Sequence, residues 1–288
     1  MTPLDPRTWL YQPELAEISL KGKIEAIDFA DLVPYHVVGA VVPLKSRPEA
    51  YSLASQLLFG ERFDVLRIHA GFAWGRALND GYCGYVPAEY LQQGIITPPL
   101  YRVHVLRSFI YPTPSMKSEP LTFLPLGAEI REGHQENAFM YIEPLKGWIY
   151  AKHVQLAKVQ PSLLDMISIA RCFLGVPYLW GGKTSLGLDC SALIQTLLLI
   201  AQQIYIPRDS DQQREKLADF FAPTTQPWQS GDILFFPGHV GMMSDAEHLI
   251  HANAFHMQVT EEKLSEVLSR FDDPASAILK AYRTAQST

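Results

Sequence analysis

Between residues 35 and 90 the apolar positions come in short runs, VVGAVV, FDVLRIH and YCGYVP, cut by Gly, Pro, Asn and Asp. That rhythm predicts short twisted strands joined by tight turns, and hence a small barrel. Past ITPPLY the same texture returns in YRVHVLRSFIYPTP, LTFLPLGAEIRE, AFMYIE and GWIYAKHVQLA, which predicts a second barrel. The segments GYVPAEYL (Gly84 to Leu91) and GWIYAKHVQL (Gly147 to Leu156) read as one phrase used twice: glycine, aromatic, strand, then a short turn before leucine. An internal repeat of two barrels follows.

Beyond Val159 the period changes. Leu164, Ile167, Ile169 and Phe173 fall near helical spacing, with Ser162 and Asp165 as the N-terminal cap and Gly175 as the stop. After the loop VPYLWGGKTSLGLD, a second helix carries Ala192, Leu193, Thr196, Leu197, Ile200 and Ile204 on one broad face, so Cys190 sits in its first turn. GDILFF, HVGMMSD, HLIHANA and ILKAYR then alternate as an antiparallel sheet packed on that helix would, an α+β order. The expected division is an N-terminal arm at residues 1–34, barrels at 35–97 and 98–158, and an α+β domain at 159–288. The role of residues 1–34 stays open at this level.

A chain of 288 residues suits several units, each able to bury a core. With 48% apolar and 19% charged residues and a net charge of −6, disorder is excluded and nucleic acid is not an expected partner. The start, MTPLDPRTWLYQPELAEISL, does not read as a signal peptide. The apolar stretch Ala192 to Ala201 is too short for a bilayer, which needs about 20 residues. Three cysteines without a CxxC pair point to a reducing compartment, so the expectation is a cytoplasmic protein without a membrane anchor. No HExxH helix or carboxylate-rich cluster argues for a metal, and no cofactor is expected.

The candidate chemistry gathers around Cys190. A thiol at a helix N-terminus feels unpaired backbone amides and the positive end of the helix dipole, which favour thiolate. Gly181, Gly182 and Gly187 in the preceding turn permit close backbone approach to a substrate, and Asp189 can either cap the helix or face a cationic ligand. A thiolate needs a proton carrier, and a histidine held by a third polar group is the usual one. His239 opens a strand and His251 lies on the next, so pairing those strands brings the two imidazoles together. His248 points to the opposite face from His251, whereas Asn253 shares the His251 face. Cys83 and Cys172 lack such company and read as structural, and Trp180 reads as a wall of the cleft.

The blocks PYLWGGKTSLGLDCS, IPRDSDQQ, GDILFFPGHVGMM and LIHANA, in this order, resemble the NlpC family of papain-like cell-wall peptidases over about Val176 to Asn253. LLFGERFDVL and DGYCGYVP are similar to the bacterial SH3-like barrels often joined to it. The resemblance implies a papain-like NlpC-type domain behind two SH3-like β-barrels, with the first barrel forming part of the cleft. It implies cleavage between γ-linked D-glutamate and a diamino acid in short peptidoglycan-derived peptides, diaminopimelate and lysine both remaining open. Cys190 is then the nucleophile, His239 the base, His251 its orienting residue, and Tyr178 an oxyanion donor beside the Cys190 amide.

Two-barrel members resemble enzymes that require a free N-terminal L-alanine. Asp189, Ser191, Asp209 and Ser210 match the catalytic-domain side of the ammonium pocket. Glu61 and Tyr82, with Tyr85 as a substitute, are the barrel candidates. Ala192 replaces the glycine usual after DCS, a packing adjustment at a helical position where alanine is favoured. With no export signal read, the implied role is recycling of imported fragments. Two other classes stay in play: a non-catalytic wall-peptide binder, and a thiol amidase or acyl transferase on the same plan.

Overall fold

In the computed structural model, residues 4–96, 100–157 and 166–284 are described. The chain divides into two compact units, Met1–Val159 and Gln160–Thr288.

The first unit holds two barrels, each with its own core. In the first, strands Cys83–Pro87, Phe72–Ala77, Arg62–His69, Val33–Val37 and Leu91–Gln93 hydrogen-bond in that order, every pair antiparallel. Val41–Leu44 and Ser55–Leu58 form a separate antiparallel pair. Alternate residues turn inward, so Val42 and Leu44 join Leu57, Phe63 and Val86 in one core. The second barrel buries Val103, Ile110, Leu124, Met140 and Ile149, and Phe59 from the first barrel's chain segment inserts into that core.

The repeated phrase has one geometry in both places. Cys83–Pro87, the 3-10 turn Ala88–Tyr90 and Leu91–Gln93 have their counterpart in Gly147–Tyr150, Ala151–His153 and Val154–Leu156.

The segment before the first barrel packs on that barrel. Leu10 is fully buried with Leu66, Trp74 and Cys83, Glu17 pairs with Arg76 at 2.9 Å, and the Cys83 N–H donates to the Arg7 carbonyl.

In the second unit, α1 (Met166–Arg171) comes first; Ser162, Leu164 and Asp165, expected to open it, lie outside the described residues. Cys172 is exposed and donates to the Ser168 carbonyl, which corrects its reading as a structural cysteine. α2 (Cys190–Gln202) packs against a six-stranded antiparallel sheet ordered Ala222–Pro223, Lys280–Arg283, Asp232–Phe236, His239–Met243, His248–Asn253 and Gln258–Lys263. The single apolar face expected of α2 understates its enclosure. Cys190 to Gln195, Leu197, Leu198 and Ile200 are all buried, and Ile204 lies past the helix end. A helix buried nearly all round holds its first residue firmly, because no solvent-facing side lets it tilt.

Candidate active site

Asp189 starts α2. Its carboxylate accepts from the Ala192 amide at 3.0 Å, the Ser191 hydroxyl at 3.1 Å and the Gly181 amide at 2.9 Å. Arg208, fully buried, grips it with two further bonds of 2.9 and 2.6 Å and also donates to the Ser191 hydroxyl at 2.8 Å. The cation that Asp189 faces is therefore the protein's own. With its charge matched and several donors already converging, Asp189 acts as a cap and anchor for the nucleophile turn, and Ser191 braces the same pair.

The glycines ahead of the cysteine also have a different reason. A Cβ on Gly182 would stand 2.5 Å from the Gly187 carbonyl oxygen, and one on Gly187 would stand 2.7 Å from the Leu179 Cβ. The loop needs them in order to fold on itself in the pair Lys183–Thr184 and Gly187–Leu188.

The Cys190 sulfur is buried and accepts hydrogen bonds from the backbone amides of Val240 and Ser191. Val240 follows His239, so α2 and the strand that His239 opens meet at this sulfur. Burial, with the Asp189 charge adding to it, pushes the thiol up to about 12, more than the two amides and Arg208 pull it down. The standing thiolate expected from the helix N-terminus is thus outweighed by desolvation, and Cys190 rests as a thiol.

His239 follows the turn at Pro237 and Gly238, and Met243 pairs with Leu249 on the neighbouring strand. Counting by two along both strands puts His239 and His251 on one face. His239 Nε2 lies 2.7 Å from His251 Nδ1, and His251 is almost wholly buried. Gly241 lies between them in sequence register, and a Cβ there would stand 3.1 Å from the His251 Cβ. Burial and the neighbouring His251 hold His239 down at about 3, against a partial upward pull from Glu262, so its ring is a neutral base at ordinary pH. His248 pairs instead with Asp245 at the surface.

Tyr178 is half-buried, and burial, then the nearby Cys190 and Asp189, keep its phenol protonated and therefore a donor. Trp180 is exposed. Asp209 occupies the N-cap position of α3 (Ser210–Lys216), and the buried Gln213 of that helix donates to the carbonyls of Ser191 and Pro207 at 3.0 and 2.9 Å.

In the first unit, Tyr82 packs into the first barrel's core, and Glu61, also buried, accepts from the Leu58 amide at 3.2 Å. Tyr85 stacks on Trp74 and its hydroxyl accepts from Gln12 at 2.7 Å. Sequence reasoning missed Arg208 as the partner of Asp189, Gln213, and the pair Glu262 and Arg270 behind His251. The IPRDSDQQ block contained the first two. Among the described residues no group of three or more His, Cys, Asp or Glu side chains could hold a metal ion.

Two family models match the chain: the NlpC/P60 family at residues 175–271 and the bacterial dipeptidyl-peptidase SH3 domain at residues 44–91. A dipeptidyl-peptidase 6 from Lysinibacillus sphaericus is 32% identical over 105 residues, 35% of this chain and 36% of that protein, so the match spans about a third of that relative. The gamma-D-glutamyl-L-lysine dipeptidyl-peptidase of Bacillus subtilis (strain 168) is 27% identical over 225 residues, 69% of this chain and 72% of that one. The crystal structure of an NlpC/P60 family protein from Bacillus cereus ATCC 10987 superposes with a TM-score of 0.71 at 18% identity, covering 88% of this chain and all of that one, which shows the same fold. The α+β, papain-like expectation is met. The chain thus carries an NlpC/P60 family domain, with Cys190, His239 and His251 inside it, behind a bacterial dipeptidyl-peptidase SH3 domain.

Proposed function

We propose that the chain is a cysteine endopeptidase that hydrolyses the γ-D-glutamyl-diamino acid bond of short peptidoglycan-derived peptides bearing a free N-terminal L-alanine. The observation that carries this reading is the pair of His239 and His251, 2.7 Å apart, on strands of which the first also brings the Val240 amide to the buried Cys190 sulfur, within an NlpC/P60 domain. The activities for which the dipeptidyl-peptidase relatives are named support the substrate class.

His239 Nε2 is engaged by His251, which leaves Nδ1 to take the Cys190 proton. The resulting thiolate attacks the γ-carbonyl carbon. The Cys190 amide, which in the helix's first turn has no intrahelical acceptor, and the Tyr178 hydroxyl donate to the oxygen as it gains charge. Collapse breaks the C–N bond, and the leaving amine takes the proton from His239. Water, deprotonated by the same imidazole, then cleaves the thioester and restores the thiol. Keeping thiol and imidazole neutral at rest means the ion pair forms with substrate in place, where the donors can stabilise it.

Asp209 and Ser210, leading α3, are the groups of this unit assigned to the substrate's ammonium. An exposed thiol at Cys172 and free Cys83 and Cys190 fit a reducing compartment, which supports recycling of peptides inside the cell. No helix of the described residues is long and apolar enough to cross a membrane.

The test is mass spectrometry of L-Ala-γ-D-Glu-diaminopimelate, its lysine counterpart and their N-acetylated forms. Release of the diamino acid from the free-amine peptides, its loss on acetylation and its absence with Cys190→Ala are expected. Equal turnover of acetylated peptide removes the ammonium requirement, and turnover by Cys190→Ala removes the mechanism.

A further inference from the structure

The hydrogen-bonded line does not stop at His251. His251 Nε2 lies 2.8 Å from Glu262 Oε1, on the next strand. Leu249 faces Glu262 and His251 faces Thr260 in the strand register, so all four share a face. The Glu262 side chain is only 9% exposed. Arg270 clamps it from beyond the sheet: Nη1 donates to Oε1 at 3.1 Å and Nη2 donates to Oε2, while the guanidinium lies over the Phe255 ring at 4.0 Å. Thr260 donates to Oε1 at 3.4 Å and accepts from Asn253 at 2.7 Å.

An ionised carboxylate can only accept. His251 must then carry its proton on Nε2, which leaves Nδ1 as a lone pair. His239 must therefore donate from Nε2, and its own lone pair is left on Nδ1. We propose that Glu262, locked by Arg270, is a positioning residue that sets the tautomers of both histidines and so presents the basic nitrogen of His239 to Cys190. This rests on reading Cys190 and His239 as nucleophile and base.

The charge state fits. Burial works to raise the Glu262 carboxyl, but hydrogen bonds from Arg270 and His251 hold it at about 2, so it is ionised wherever the imidazoles are neutral. The groups facing His251 are His239 on one side and Glu262, Arg270 and His256 on the other, with Glu266 acting only through Arg270. When His239 takes the thiol proton, the Glu262 charge stabilises the cation two rings away. A bare His251 with a neutral partner would lack that.

The experiment pairs NMR of 15N-histidine-labelled protein with steady-state kinetics on the free-amine peptide. In the wild type, His239 and His251 are both expected as the Nε2–H tautomer. Glu262→Gln brings an NH₂ donor to a place that held only acceptors. It should convert part of the His251 signal to Nδ1–H and lower kcat on the order of 10- to 100-fold with KM little changed, less than the roughly 10⁴ seen when an orienting carboxylate is one step closer to the chemistry. Glu262→Asp should restore the tautomer and most of kcat. In a His251→Ala background, Glu262→Gln should change nothing further.

An Nδ1–H tautomer at His251 in the wild type, an unchanged kcat in Glu262→Gln, or an equal loss in the His251→Ala background would overturn the proposal. The wild-type spectrum needs no substrate and no variant. A protein that fails to cut the peptide would sink the proposed activity and still leave the tautomer assignment answered.

Discussion

Arg208→Met is the most informative perturbation of the nucleophile turn, because it keeps the volume and removes only charge and donors. Arg208 is 1% exposed and the Asp189 side chain 10%, so water cannot replace what is lost. The bonds that disappear include two to the Asp189 carboxylate, one to Ser191 Oγ and one of 3.4 Å to the Gly182 carbonyl. Breaking a buried ion pair from one side costs about 3–5 kcal/mol, most of it from the charge left behind. Asp189 still caps α2 through Ala192, and that bond is worth only about 1 kcal/mol. A loss of about 3–5 kcal/mol is therefore expected from the urea unfolding midpoint of the full chain, with hydrogen exchange placing it in the amides of α2. Adding Asp189→Asn should recover much of it, since no unpaired charge remains. A loss below about 1 kcal/mol, or a double variant no better than the single, would refute the claim that this pair anchors the nucleophile.

Further outcomes follow from the same geometry. Tyr178→Phe removes one oxyanion donor and should cut kcat by about 10²-fold with KM nearly unchanged in steady-state assays of the free-amine peptide. Gly241→Ala puts a methyl 3.1 Å from the His251 Cβ and 2.9 Å from Leu249 Cδ2, so His251 shifts and kcat should fall on the order of 10- to 100-fold while the fold, read by circular dichroism, persists. Since His239 is held at about 3 rather than 6.5, the acid limb of kcat/KM should lie well below pH 6.5. Folding stability from this group, whose protonated form is penalised by burial, should be fully present above pH 6.5 and lost as pH falls toward 3. Urea titrations of wild type against His239→Gln across that window check it. Because Cys190 rests as a thiol with its titration near 12, thiolate ultraviolet absorbance at pH 7 should not differ between wild type and Cys190→Ser.

How much of the site was legible in advance is clearest from pairs of residues. His239 and His251 could be paired from strand period alone, because in an antiparallel sheet side chains two apart share a face. Arg208 stands directly before Asp209 in the chain, and nothing in that adjacency points to Asp189. Its guanidinium reaches Asp189, 19 residues away, and the two form a buried two-pronged ion pair that only the fold brings together. Glu262 was invisible in the same way. On the chain it is one of two adjacent acids on an edge-ward strand, and only the register that sets it opposite Leu249 aims it at His251.

Local pattern was enough for what depends on short-range chemistry: two barrels with a repeated strand-turn-strand phrase, a helix beginning at Cys190, an antiparallel sheet after it, and the shared face of His239 and His251. Tertiary structure alone decided what depends on desolvation and on contacts between distant segments. The helix N-terminus argued for a thiolate, yet burial of the sulfur, with the Asp189 charge beside it, reversed it. The glycines ahead of Cys190 serve loop packing, Asp189 answers to Arg208, and the arm before the first barrel finds its place through Leu10. Burial and cross-strand register are properties of the assembled chain, and no run of neighbouring residues encodes the dielectric in which a charge will stand.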